Sequence, residues 1–436
     1  MEKPFSKKYI FIFFVVAVVT AAVTLLLVNI FEKKQEAVLY PSVLKPVGES
    51  EIDPKVWGEN FPFEYDTYLR TQENYGSTFY GGTENYEKIE KDPNLVTLFA
   101  GFSFAKDYRL RRGHYWSIYD VQHTKRVGDK TANTCINCKS PQVIVDIQRM
   151  GVENFYKAMF KDVGAHYTQS IACLDCHDPG TMELRVMRPA FLEAMKRRGI
   201  DLSKATRQEM RTYVCAQCHV TYYFKPEGNY LTFPWDRGLS VDSIEAYYEQ
   251  VNFNDWTHEI SKAPLVKIRH PDYELWSTGI HAGSGVSCAD CHMPYEKTGS
   301  VKVSNHWIKS PLKNLNTSCQ TCHKWSEEEL TSRVRNIQDK TFETMMKTET
   351  AIIDAINAIK TAMDAGISDE QLRSARHLQR RAQIRWDFIN AENSMGFHSP
   401  QESVRILADA IDYARQSQLE AERLLSKIKL ELENLK

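Results

Sequence analysis

All ten cysteines of this 436-residue chain fall in five Cys-x-x-Cys pairs. Four pairs run directly into histidine: Cys173, Cys176 and His177; Cys215, Cys218 and His219; Cys288, Cys291 and His292; Cys319, Cys322 and His323. The first pair, Cys135 and Cys138, runs into Lys139 instead. Cys-x-x-Cys-His is the attachment motif of c-type haem: two thiols bond to the porphyrin, and the histidine gives a nitrogen to iron. Zinc knuckles and thioredoxin-like pairs are the competing readings. Neither has reason to place histidine after nearly every pair, and a redox pair would need a βαβ context each time. Porphyrins in the core weaken ordinary hydrophobic periodicity. The expected fold is mainly α, a multihaem cytochrome c fold with little β, plus a C-terminal bundle of long helices.

Formal net charge is −1, so the surface offers nothing for nucleic acid or another polyanion, and attraction for an anionic ligand must be local to a pocket. The N-terminus has Lys3, Lys7 and Lys8 before an uncharged apolar run from Tyr9 to Phe31. About 20 such residues span a bilayer, and basic residues before them favour export of the chain beyond the run. The run is long and has no small-residue cleavage site after it, which favours an uncleaved anchor over a cleaved signal. The expected location is the periplasmic face of a bacterial cytoplasmic membrane, or the soluble periplasm if the segment is cleaved.

The chain divides into a membrane segment over 1–31, a tether over 32–60 with Pro41, Pro46 and Pro54, a haem-bearing domain over 61–325 and a helical domain over 326–436. In the last, a helical pattern from Ser326 to Ala365 stops at Gly366. Ser368 to Gln371 forms a capping box for a second helix that Gly396 closes, and Ser399 to Glu402 forms one for a third. The third carries Ile406, Ile411, Leu419, Leu424, Leu425 and Ile428. This bundle is a scaffold or a dimer interface, and the residues leave both open.

Nine of thirteen histidines lie outside the motifs: His114, His123, His166, His258, His270, His281, His306, His377 and His398. Four electron-transfer haems need four more ligands, so the supply is adequate. Lys139 is different. A free lysine amine is protonated at neutral pH, and only its neutral form binds iron. Ferric iron and an apolar haem face favour that form. The alternative is a solvent-facing Lys139 with a remote histidine on that iron.

Five sites, the first ending in lysine, resemble the pentahaem cytochrome c nitrite reductases that form ammonium. The likeness extends to RGH at 112–114, CAQCHVTYYF at 215–224, KAPLVKIRHP at 262–271, TGIH at 278–281, CADCHMPY at 288–295 and GFHSP at 396–400, and covers about residues 60–410. It implies five covalently bound haem c. Lys139 would be the proximal ligand of the catalytic haem. His114, His306, His281 and His398 would close the haems on Cys215, Cys173, Cys319 and Cys288 respectively. It also implies a pocket of Arg126, Tyr222 and His270, with Arg126 placed by its distance from His114 and by a Lys-Arg-x-Gly pattern. His123, His166, His258 and His377 receive no ligand role.

That pocket suits nitrite. A guanidinium stays charged and holds an anion's oxygens, histidine exchanges a proton near neutral pH, and tyrosine offers a hydroxyl. The resemblance further implies a membrane quinol-oxidising multihaem cytochrome as electron donor and a homodimer. One departure stands out. Many relatives bind calcium beside the pocket through a glutamate and a glutamine, where this chain has Thr221 and Arg269. Calcium needs several oxygens and negative charge. Calcium is therefore expected to be absent, with Arg269 in its place and Lys267 keeping its carbonyl position. The rival readings are an electron carrier with five closed irons, or a multihaem reductase of hydroxylamine or sulfite.

Overall fold

A computed structural model describes residues 7–38, 45–110, 112–299 and 301–434. Lys3 and Pro41 lie outside the described residues. Helices make up 58% and strands 7%, so the chain is mainly α, with the strands among the described residues arranged as two-stranded antiparallel ribbons.

The first helix, α1 (Lys7–Val38), is long and apolar enough over Lys7–Glu32 to cross a membrane, and its described apolar side chains are exposed. The tether expected over 32–60 does not run that far. Residues 45–60 are packed: Asp53 caps the short helix Pro54–Gly58, Trp57 is buried against Ile144 and Leu174, and Asn60 bonds Lys45 at both its backbone N–H and carbonyl. Prolines here shape a docked turn because Trp57 has an apolar slot to fill.

Between 61 and 325 the elements are short, as expected where local periodicity is weak. Two helices stand out. The first, α2 (Arg207–Ala216), opens with a Thr206–Glu209 capping box and carries Cys215 in its last turn. The second, α3 (Val241–Gln250), buries Ile244, Tyr247 and Tyr248. Antiparallel strands β1 (Tyr223–Lys225) and β2 (Tyr230–Thr232) lie between these helices and follow directly on Tyr222.

Three long helices complete the chain: α4 (Glu327–Asp364), α5 (Arg373–Ala391) and α6 (Pro400–Asn434). Ser326 caps α4 on the Glu329 N–H, and Glu327, Glu328 and Glu329 complement the positive end of the helix. Gly366 follows in the left-handed conformation that ends it. The Ser368–Gln371 box forms, but as a turn ahead of α5. The expected box at Ser399 differs, because Glu402 is taken by Arg405 on its own helix. Gly396 does not close α5, which stops at Ala391; residues 392–398 form a loop in which Gly396 takes φ +79°. Leu419 points outward rather than into the bundle, while Ile406 is buried.

The helices from 326 onward are not a separate domain. Ile352 and Ile356 of α4, Trp386 and Phe388 of α5 and Ile406 of α6 share one core with Leu95, Phe99, Ile244, Tyr248 and Leu265. The middle helix α5 is exposed on one side at its start, at Arg373, Ser374 and His377, and is buried all round from Ala382 to Asn390. Its arginines are neutralised from α3: Arg380 by Glu249, Arg381 by Glu245, and Arg385 by Asp242 and Glu245. Buried charge is tolerated there because each guanidinium meets a carboxylate.

Candidate active site

All five cysteine pairs line one branched cavity of about 2380 Å³. A site for one small molecule is roughly 300–1,000 Å³, so this space suits several large flat groups. In three of the four histidine motifs the histidine N–H reaches back to the first cysteine: His177 to Cys173 O, His219 to Cys215 O and His323 to Cys319 O. The fourth is itself one helical turn, Cys288–His292. One turn puts both thiols and the imidazole on the same side. The lysine motif is tighter, since the Lys139 N–H bonds Ile136 O at 2.8 Å. The Lys139 carbonyl is held by the Ser117 hydroxyl at 2.7 Å.

The remaining histidines come from distant parts of the chain. Ring centroids of His177 and His306 are 6.1 Å apart, those of His281 and His323 6.2 Å, and those of His292 and His398 6.4 Å. Metal–imidazole bonds are about 2 Å each, and with half a ring on either side this spacing leaves room for one ion between each pair. His114 lies by His219, whose charge, after burial, pushes His114 down to about 4. Burial, then the facing imidazole, likewise pushes His177 and His292 to about 4. Neutral imidazole is the form that binds metal, so the residues fit haem iron. Gly279 is required here, since a Cβ would collide with the His398 carbonyl.

Second partners of these rings differ. Nδ1 of His177 lies 2.9 Å from Met182 O, that of His306 2.9 Å from Ser304 O and that of His292 3.0 Å from Lys309 O. Nδ1 of His219 instead meets the Asp272 carboxylate at 2.9 Å. Nδ1 of His398 lies 2.6 Å from Glu392 Oε1, without the alignment of a full hydrogen bond. Burial opposes the His398 charge, but Glu392 outweighs it and lifts the ring to about 9.

Arg126, Tyr222 and His270 line the same cavity as Lys139. Arg126 is anchored by Thr124 Oγ1 at 3.2 Å and stacks over Phe104 at 4.3 Å. Burial raises the Tyr222 hydroxyl, so it stays protonated. His270 has φ +42°, a strained backbone for a non-glycine residue of the kind found at functional sites. Its side chain is exposed to the cavity, where desolvation by the surrounding walls, then the charge of Lys139, holds the ring below the usual histidine range.

The Arg269 guanidinium lies among oxygens. Nη1 donates to Tyr222 O at 3.1 Å and Lys267 O at 2.9 Å, and Nη2 to Asp255 Oδ1 at 2.6 Å. Its backbone N–H reaches Thr221 Oγ1 at 3.3 Å. Burial works against the charge, but Asp255 outweighs it and holds the proton more firmly than usual. The Lys267 amine is buried and paired with Asp387 at 2.6 Å. Of the histidines given no ligand role, His258 bonds Thr97 O and Ser261, and His123 stacks on Tyr119. His166 and His377 lie 3.7 and 3.6 Å from Asp146 and Glu249. Asp255, Asp272 and Glu392 escaped the sequence reading, because no local motif marks a carboxylate that arrives by tertiary contact.

The sequence profile of cytochrome c552 matches residues 53–433. The chain belongs to the cytochrome c552 family. Cytochrome c-552 of Parabacteroides distasonis is 46% identical over 85% of this chain and 76% of its own length. That of Porphyromonas gingivalis is 40% identical over 94% and 84%. A solved structure of a cytochrome c nitrite reductase from Desulfovibrio desulfuricans, described with two calcium sites, superimposes with a TM-score of 0.82 at 32% identity. The match covers 87% of this chain and 88% of that one. Family membership brings covalently bound haem c to this cavity.

Proposed function

We propose that this chain reduces nitrite to ammonium with six electrons and eight protons, releasing two waters, at a haem held by Cys135, Cys138 and Lys139. The observation that carries this reading is the meeting of Lys139, Arg126, Tyr222 and His270 on one cavity. When bound, the haem supplies an open iron and the path for electrons. The chain's own residues bind and orient the substrate. Arg126 attracts the anion and fixes its oxygens. Tyr222, protonated, donates a hydrogen bond from its hydroxyl. His270 takes up a proton beside the bound anion and passes it to a departing oxygen. These groups are preset, so little reorganisation accompanies reaction.

His177 with His306, His219 with His114, His292 with His398 and His323 with His281 would hold four further haems, which would supply electrons to the site. Arg269, seated on two carbonyls and Asp255, does the electrostatic work of calcium, and the site needs no metal ion. Anchored by α1 on the periplasmic side, the enzyme draws electrons from a quinol-oxidising multihaem cytochrome. It pairs as a homodimer through the bundle, where Val404 and Leu419 are exposed on α6.

The test is turnover of nitrite with a reduced dye. Ammonium is expected at six electrons per nitrite, and a fully haem-loaded protein that makes none overturns the reading.

A further inference from the structure

One short loop reaches the partners of two neighbouring haem ligands. The loop 392–398 joins α5 to α6. Its first residue, Glu392, puts Oε1 2.6 Å from His398 Nδ1, while Oε2 is held by Ser394 Oγ at 2.9 Å. Its second residue, Asn393, grips both oxygens of Asp272, with the backbone N–H at 2.8 Å and Nδ2 at 2.9 Å. Asp272 in turn meets His219 Nδ1 at 2.9 Å. The loop is fixed from α4 by Gln338, which donates to Ser394 O at 2.9 Å. Asp272, Glu392 and His398 have ligating atoms within 4.8 Å of one another. Both carboxylates are buried, so solvent and salt screen them little.

A carboxylate against the far nitrogen of an iron-bound imidazole makes the ring more anionic and a stronger donor. A stronger, more negative ligand favours ferric over ferrous iron and lowers the reduction potential. A neutral carbonyl does this less. Carbonyls are what His177 and His306 both have, through Met182 and Ser304.

We propose that Asp272 and Glu392 make the haems on Cys215/Cys218 and Cys288/Cys291 a low-potential pair, and that the 392–398 loop sets both at once. The proposal rests on the axial-ligand reading under Proposed function. The two haems are consecutive on the way to the open site: Cys288 lies against Cys215, and Cys218 against Cys138. Electrons therefore rest less readily on this pair than on the carbonyl-held haem on Cys173/Cys176. Asp272 also begins the turn after His270, its N–H bonding His270 O at 2.7 Å. It is a positioning residue that acts on the iron through His219.

The experiment is a potentiometric titration of haem-loaded protein, followed by the low-spin ferric signals in electron paramagnetic resonance. Wild type must first show four low-spin haems and one open haem, and failure there counts against the ligand reading itself. Asp272→Asn should move one closed haem to higher potential and Glu392→Gln a different one, with the double variant moving both. Asp272→Glu and Glu392→Asp should stay close to wild type, and the haem on Cys173/Cys176 should not move. Intact low-spin signals with no upward shift in either amide variant overturn the proposal. So does an equal shift of all four closed haems. Loss of a low-spin signal in place of a shift would show that the carboxylates only anchor the rings, and overturns it too.

Discussion

A guanidinium on the chain differs from a bound ion in one respect: it cannot be washed out. If Arg269 holds the Tyr222 and Lys267 carbonyls where an ion otherwise would, chelators should leave nitrite turnover untouched. Arg269→Gln strips the buried Asp255 of its partner. Losing such a supporting contact next to a reactive centre costs about 10–100-fold, so ammonium production in the dye assay should fall by that order. Thr221→Glu combined with Arg269→Gln should regain activity only with added calcium, and should lose it again to a chelator. The exchange at 221 and 269 was legible because it sits beside a recognisable motif. Asp255, which completes the site, was not, because it lies 14 residues before Arg269 and arrives by a turn of the backbone.

Along α4 and α5, Glu349 accepts from Trp386 Nε1 at 3.1 Å and from Asn94 at 3.4 Å. Burial, then the Asp92 charge, pushes its carboxyl up from 4.5 to about 8. Between those two values the folded chain holds a proton that the unfolded chain releases. Stability from this group is therefore full below pH 4.5, falls through neutrality and is lost above about pH 8. Glu349→Gln keeps an acceptor without a charge. It should raise stability by about 1–3 kcal/mol at pH 8.5 and give no gain at pH 5, as read from thermal midpoints. The helix starts were legible where a cap acts alone, as at Ser326. Ser399 marked the start of α6 at Pro400, but not the engagement of Glu402 by Arg405, because competition between partners leaves no mark in a four-residue motif. The burial of the second half of α5 was also unreadable: its arginines suggest a solvated face until Glu245 and Glu249 are brought to them.

At the scale of the molecule, the packed body begins near residue 45, where Asn60 and Trp57 pin the incoming chain. Replacing residues 1–38 with a cleavable export signal should release the protein from membranes into the soluble fraction with dye-driven turnover unchanged, measured by fractionation and ammonium yield. The fold class was legible because cysteine spacing is local and covalent chemistry demands it. The boundary expected at 326 failed because apolar contacts between α4, α5 and the 88–275 region leave no linker behind.

The cavity has a further consequence, for the order of assembly. Thiols of different motifs are neighbours inside it, Cys138 with Cys218 and Cys215 with Cys288. A chain that closed before its porphyrins were attached would offer these sulfurs to each other, in a compartment that oxidises thiols. Attachment of haem before the chain closes would keep these sulfurs from pairing with each other.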